Sequence, residues 1–367
     1  MRIRVDRKEL LHAFQTVSSA LPSGRSGIAV LQNVKLVAEG KTVSLLATDL
    51  EIGVRYVIEG VEVGDPGALV VPADTVASIL RESKDEHVVI ESDRTLASIT
   101  LSDGYYKVVG MDPTDFPEFP EFNPLAAQSL SSPDLREMIA KTAFAVAVEV
   151  TRYALTGIQV EIRGEEVRMV ATDGKRLAFI RKKTSGKTKG DIKVIVPPKA
   201  MHLLEKVLGD ADEEVQLNVT ESQIRIKTRH AIIFSRLVEG SFPDYEQVIP
   251  KTGDKQATVD RDKLESAMRR AALMTTQEAR ATKMTFQDDK IILLSRVQDV
   301  GESKVEIPVK YHGDEFEVVF NPVLFVDALK AIKSPSLVLE LKDRSSPCVL
   351  RDGKDYIYLV MPLAIQV

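Results

Sequence analysis

Four short landmarks recur in the same order three times along the 367 residues, and this internal repeat limits the fold more than any other feature. The first is a polar start before an amphipathic helix: Val5-Asp6-Arg7-Lys8, Ser132-Pro133-Asp134-Leu135 and Val259-Asp260-Arg261-Asp262. In each copy the aspartate is the expected N-cap, accepting from an otherwise unbonded helical N–H. The second lies about 40 residues on, in a hairpin-like strand pair: Ala47-Thr48-Asp49 and Ala171-Thr172-Asp173, with Leu294-Ser295-Arg296 in the third copy. Val71-Pro72, Val196-Pro197 and Phe320-Asn321 form the third, each ending a β-rich run and opening a second helix. The fourth closes the copies: Phe116-Pro117-Glu118-Phe119, Phe242-Pro243-Asp244-Tyr245 and Met361-Pro362. The expected architecture is α+β: three tandem modules of helix, strands, helix, strands, spanning 1–124, 129–250 and 256–367. Breaker-rich linkers near 123–129 and 250–256 separate them.

Alternation in Val88-Val89-Ile90-Glu91 and Leu217-Asn218-Val219-Thr220 predicts strands with one wet face. The first helix is expected to bury Leu10, Leu11, Phe14 and Val17 and to leave Arg7, Lys8, His12 and Gln15 outside. The second buries Val76, Ile79 and Leu80, with Arg81 and Lys84 outside. Arg136 and Lys141, Lys199 and Lys206, Arg269 and Arg270, and Lys330 and Lys333 continue a series of basic wet faces. Acidic residues share these helices, so composition alone supports ordinary solvated faces equally well. Residues 182–190, rich in Lys, Thr and Gly, read as a mobile loop.

The net charge of −5 argues weakly against phosphate contact. A DNA-binding reading therefore requires Lys and Arg to be gathered on one surface. No apolar run approaches membrane-helix length, and no apolar stretch follows the charged start, so neither insertion nor export is expected. The single cysteine, Cys348, forms no internal disulfide and fits a reducing cytoplasm. Gly40-Lys41-Thr42 and Gly186-Lys187-Thr188 echo a phosphate-binding loop, but Lys35 and Arg181 stand where its first glycine is needed. The five histidines show no metal-ligand spacing, and no nucleophile elbow occurs. Asp49 and Asp173 suggest a carboxylate pair, yet their equivalent places in two copies favour a turn role. Asn218-Val219-Thr220 matches a glycosylation acceptor that has no use without export. The residues leave two alternatives open: an enzyme on a repeated scaffold, for which no convergent acid, base or metal set is found, and a scaffold that binds only protein.

Ala171-Thr172-Asp173-Gly174-Lys175-Arg176-Leu177-Ala178 resembles the middle-domain signature of the bacterial β sliding clamps. So do Leu46-Ala47-Thr48-Asp49-Leu50-Glu51, Val194-Ile195-Val196-Pro197, Phe242-Pro243-Asp244-Tyr245 and Val360-Met361-Pro362-Leu363, and the likeness runs through the whole chain in order. The resemblance implies a non-catalytic processivity factor without cofactor or metal. It implies a head-to-tail homodimer forming a closed ring, helices lining the hole and sheets outside, which slides on double-stranded DNA without reading its sequence. The replicative polymerase, the clamp loader and other proteins with a clamp-binding motif are the implied partners. A partner-peptide pocket falls on Leu155, Thr172, Gly174, Lys175, Arg176, Leu177, Pro243, Val248, Met361, Pro362 and Leu363, with Arg176 expected to offer donors at the rim. DNA-facing positions carry over to Arg25, Tyr153, Lys199 and Lys206. Asp74, Glu149, Ala154 and Gln247 depart from it, standing where relatives can have basic, amide, aromatic and basic residues. The tail, residues 364–367, runs past the usual end. The dimer contact is expected at Tyr105, Tyr106, Leu273 and Met274.

Overall fold

The computed structural model describes residues 1–24, 27–149, 153–184, 190–209, 213–250 and 253–364. From the N-terminus come β1 (Arg2–Asp6), α1 (Arg7–Val17), β2 (Asn33–Glu39), β3 (Thr42–Thr48), β4 (Ile52–Glu59), β5 (Glu62–Asp65), β6 (Gly67–Pro72), α2 (Ala73–Glu82), β7 (His87–Asp93), β8 (Leu96–Thr100) and β9 (Tyr105–Val109). Then follow β10 (Gln128–Ser131), α3 (Ser132–Thr142), β11 (Ile158–Arg163), β12 (Glu166–Thr172), β13 (Arg176–Lys183), β14 (Ile192–Val196), α4 (Pro198–Val207), β15 (Glu214–Val219), β16 (Gln223–Lys227) and β17 (Ala231–Arg236). The last are β18 (Lys255–Asp260), α5 (Arg261–Ala272), β19 (Thr282–Gln287), β20 (Lys290–Val297), β21 (Gly301–Pro308), β22 (Lys310–His312), β23 (Phe316–Phe320), α6 (Pro322–Ala331), β24 (Ser336–Leu341), β25 (Cys348–Asp352) and β26 (Tyr356–Val360).

The chain forms two compact units. The first is built mainly from Met1–Arg136 and Lys199–Leu237. It holds a five-stranded sheet, β5-β1-β7-β8-β9, and an eight-stranded sheet, β10-β15-β16-β17-β4-β3-β2-β6. The second is built from Glu137–Lys183, Gly190–Pro198 and Val238–Val367. Its sheets are β14-β11-β12-β13-β26-β25-β24-β18-β22 and β21-β20-β19-β23. Two pairings join strands far apart in sequence: β4 with β17 (Gly53 opposite Phe234) and β13 with β26 (Leu177 opposite Leu359). At the first, the Phe234 ring fills the space where a side chain on Gly53 would stand, so only glycine fits there.

Helix ends follow the sequence expectation at two of three starts. Asp6 accepts from Glu9 N–H at 2.8 Å and Asp260 from Lys263 N–H at 2.9 Å. In the middle copy the cap is Ser131, whose hydroxyl accepts from Asp134 N–H, because α3 begins two residues before that aspartate. Leu11 and Ile79 are half-buried rather than core. Arg7 is drawn inward: its guanidinium donates to Leu80 O at 2.9 Å, a carbonyl at the end of α2 without a helical donor, and to Asp85 O at 2.7 Å in the loop that follows.

The largest departure is Lys141, expected on a wet face but only 6% exposed. Its ammonium donates to Glu137 at 2.7 Å and to Asp352 at 2.8 Å and lies 4.9 Å from the centre of the Tyr356 ring. A buried charge persists only when paired in this way. The loop expected at 182–190 falls largely outside the described residues; β13 extends to Lys183.

Candidate docking face and DNA-facing residues

The Thr-Asp pair of the repeat encodes a turn in the same way twice. Asp49 accepts from Glu51 N–H and Ile52 N–H at 3.0 and 2.8 Å, and Thr48 donates to Ile52 O. Asp173 accepts from Lys175 N–H and Arg176 N–H at 2.9 and 3.0 Å, and Thr172 donates to Arg176 O. These carboxylates hold hairpins, as their equivalent places in the sequence predict. The residue after each aspartate has positive φ, +76° at Leu50 and +85° at Gly174, and glycine adopts it without strain.

From the turn at 172–176, β13 runs with Leu177 and Phe179 on one face, since strand side chains alternate. That face of the nine-stranded sheet carries an apolar cluster of Leu155, Val170, Leu177, Phe179, Ile195, Phe242, Tyr245, Val349 and Leu359. Phe242 and Tyr245 come from the strap at 242–249, which covers part of the face. The strap then exposes Pro243 and, three residues after Tyr245, Val248 at 54%. Past Leu359 the chain emerges at Met361, 41% exposed, whose N–H donates to Lys175 O at 2.8 Å. Two residues on, Leu363 N–H donates to Val319 O at 2.8 Å, fixing the chain end against β23. Leu155 and Leu177 thus lie in one buried cluster, Thr172, Gly174, Lys175 and Arg176 form the turn, and residues 361–363 are bonded beside it.

Arg176 is held by its own unit's carboxylates. Its side chain is 11% exposed, with Nε donating to Asp173 at 3.0 Å and Nη1 to Asp327 at 2.7 Å, and the Phe144 ring lies beneath it. Burial opposes its charge, but Tyr358 and the two aspartates outweigh that and hold its proton more firmly than usual. Held by both carboxylates, Arg176 braces the turn. Lys175 is the exposed cation there.

The polar pins under the strap carry no signal in the sequence. Glu161 on β11 is fully buried and accepts from Gln159 at 2.8 Å and from the Tyr245 hydroxyl at 3.1 Å, with Arg163 at 3.2 Å. Burial, with the Glu161 charge alongside, pushes the Tyr245 hydroxyl up to about 12. Arg168 on β12 reaches Glu246 at 2.8 Å. The Phe-Pro-Asp-Tyr landmark and the alternation of β13 were the available signals for Tyr245 and Phe179.

Of the positions tied to DNA, Lys199 donates to Asp49 at 2.6 Å and Leu21 O at 3.0 Å, and Lys206 donates to Ser19 at 2.6 Å. Seven residues apart on α4, the two lysines share a helix face. Tyr153 belongs to the other unit and is exposed; Arg25 lies outside the described residues. Asp74, Glu149 and Gln247 are exposed, and Ala154 packs against the apolar cluster. Ala364 is exposed, and residues 365–367 lie outside the described residues. Tyr105 and Tyr106 stand exposed on β9, an edge strand, and Leu273, 70% exposed, caps α5 just ahead of Met274. Among the described residues no acidic, histidine or cysteine group is arranged to hold a metal, and no helix is long and apolar enough to cross a membrane.

Family models of the DNA polymerase III beta subunit match residues 1–120 (N-terminal domain), 129–244 (central domain) and 246–364 (C-terminal domain). The chain belongs to this family. The beta sliding clamp of Pseudomonas aeruginosa is 31% identical over 372 residues, covering all of both chains. That of Chlamydia muridarum is 28% identical over 368 residues, covering 100% of this chain and 99% of the relative. Among solved structures, the Pseudomonas aeruginosa DnaN sliding clamp bound to griselimycin is 30% identical with a TM-score of 0.93, and the Bacillus subtilis sliding clamp 26% identical with a TM-score of 0.93. Each covers all of both chains. The family is that of a clamp, not an enzyme.

Proposed function

We propose that this chain is a DNA sliding clamp: two copies close head to tail into a ring around duplex DNA and tether the replicative polymerase and other DNA enzymes to it. The end-to-end likeness to beta sliding clamps, in sequence and in fold, carries this reading. The recurrence of strand, helix, strands, helix, three strands along the chain supports three modules, 1–124, 129–250 and 256–367. Two pairings, β4 with β17 and β13 with β26, continue sheets across the module boundaries. A third pairing of the same kind, β21 of one copy with β9 of the other, would complete the series and cover two open edges. Exposed Tyr105, Tyr106 and Val109 on β9, and Leu273 with Met274 beside β21, are the apolar surface such a contact needs.

The six helices together carry twelve Lys or Arg against nine Asp or Glu, while the whole chain is at −5. Positive charge is thus biased toward the surface that would line the hole, with Arg25, Tyr153, Lys199 and Lys206 as its DNA-facing members. The bias is small, and Lys141 and Lys199 are already paired. Weak attraction suits a ring that holds DNA by closure and slides without reading bases. Partner peptides dock in a groove floored by Leu155 and Leu177, walled by Pro243 and Val248 on one side and Met361, Pro362 and Leu363 on the other, with Thr172, Gly174, Lys175 and Arg176 forming its end. Polymerase and clamp-loader segments are the expected occupants, and griselimycin, which related clamps bind, is expected in the same groove. The site of action is the cytoplasm, at the nucleoid.

The decisive experiment compares clamp on nicked circular DNA with clamp on short linear duplex as salt is raised. Phosphate-contact binding falls steeply with salt, whereas a topological link persists until the dimer opens. Retention on circles, lost on linearisation, is expected; equal salt sensitivity on both templates would refute the ring.

A further inference from the structure

The strap at 242–249 is held by two kinds of force. Phe242 and Tyr245 sink their rings into the apolar cluster, which fixes the depth of the strap but little else, because apolar contact is non-directional. Direction comes from the polar pins. Glu161 is fully buried, and a carboxylate there is costly unless its oxygens are bonded. Its contacts are Gln159, Arg163, Lys193 at 3.6 Å and the Tyr245 hydroxyl, and of these only Tyr245 lies off the strands β11 and β14. Arg168 makes the second pin through Glu246. Beneath the strap, a polar cavity of about 280 Å³ lined by Glu161, Arg163, Lys193 and Tyr245 leaves room for the strap to shift if the pins are removed. A tight turn then ties Val248 N–H to Tyr245 O at 3.2 Å, so that any displacement of Tyr245 passes to Val248.

We propose that Glu161 and Arg168 are positioning residues of the docking groove, acting on a bound ligand through Tyr245 and Glu246. They set the lateral place of the wall formed by Pro243 and Val248. The inference rests on the groove reading given above. Neither residue touches the ligand; both reduce the ordering that binding would otherwise require.

The test measures griselimycin affinity of the full-length protein by calorimetry, well below its thermal transition. Tyr245→Phe, which deletes one oxygen and keeps the ring, is expected to weaken binding roughly fivefold, the equivalent of about one hydrogen bond. Glu161→Leu should match it, and Glu161→Gln, which keeps an acceptor for the hydroxyl, should restore affinity to within about twofold of the original. The double variant Tyr245→Phe/Glu161→Leu should be no weaker than either single one, since both remove the same bond. Arg168→Met should cost a loss of similar size that overlaps in part with that of Tyr245→Phe, because Arg168 also holds the Tyr245 hydroxyl. A purely structural role would lower the thermal transition and leave affinity unchanged, so Tyr245→Phe binding like the unaltered protein overturns the proposal, even if Glu161→Leu fails to fold. Truncation after Val360 separates the two readings. If it leaves griselimycin binding intact, or if the unaltered protein does not bind it, the groove itself is misassigned.

Discussion

Lys141 carries its charge into the interior of the second unit, where Asp352 is buried and Glu137 half-buried beside it. Replacing it by methionine keeps the packing of the stem but leaves Asp352 without its cation. Such a break costs about 3–5 kcal/mol, and the urea midpoint of the variant should fall accordingly. Acid should attack the same cluster. Burial raises the Glu137 carboxyl, but bonds from Lys141 and Lys182 more than offset this and hold it below its ordinary 4.5. A group depressed in the folded state contributes stability above pH 4.5 and loses it as pH falls through the folded value. Urea midpoints should therefore drop on acidification below that point, and Glu137→Gln should flatten part of the slope. None of this was legible in the sequence. Lys141 follows the helical period of other wet residues, and Asp352, which explains its burial, lies 211 positions away.

Strand β26 is secured by β13 on one side and β25 on the other, whereas residues 361–363 are held by two backbone bonds, to Lys175 O and Val319 O. Truncation after Val360 should therefore leave the dimer intact and move the thermal transition by only a few degrees. It removes two apolar anchors of roughly 1.5–3 kcal/mol each, so griselimycin affinity should fall at least about a hundredfold, as measured by calorimetry. The bounds of β26 and the two Thr-Asp hairpins could be read from alternation and repetition, because both are local. The bracing of Arg176 was not legible, because Asp327, one of its two carboxylate partners, arrives from α6, 151 residues on. Glu161 in a strand reads as a wet residue, and only the strap crossing that face makes it an anchor.

The proposed ring depends on two edges that one chain leaves open, β9 and β21. Leu273→Ala with Met274→Ala removes apolar contact beside one of them, and light scattering should then find monomer at micromolar protein; a stable dimer at high dilution would count against the arrangement. The three-fold repeat was visible in residue spacing, but the sheet continuations β4 with β17 and β13 with β26 were not, since they depend on which edges meet. The open edge also provides a clock. Alternate amides of β9 point away from β8 and exchange their hydrogens with solvent in a lone chain, yet become protected once a second strand covers them. In a closed ring those few positions can take up deuterium only when the ring parts. Their isotope uptake would report how long a ring stays shut, in the free protein, with no template and no attached dye.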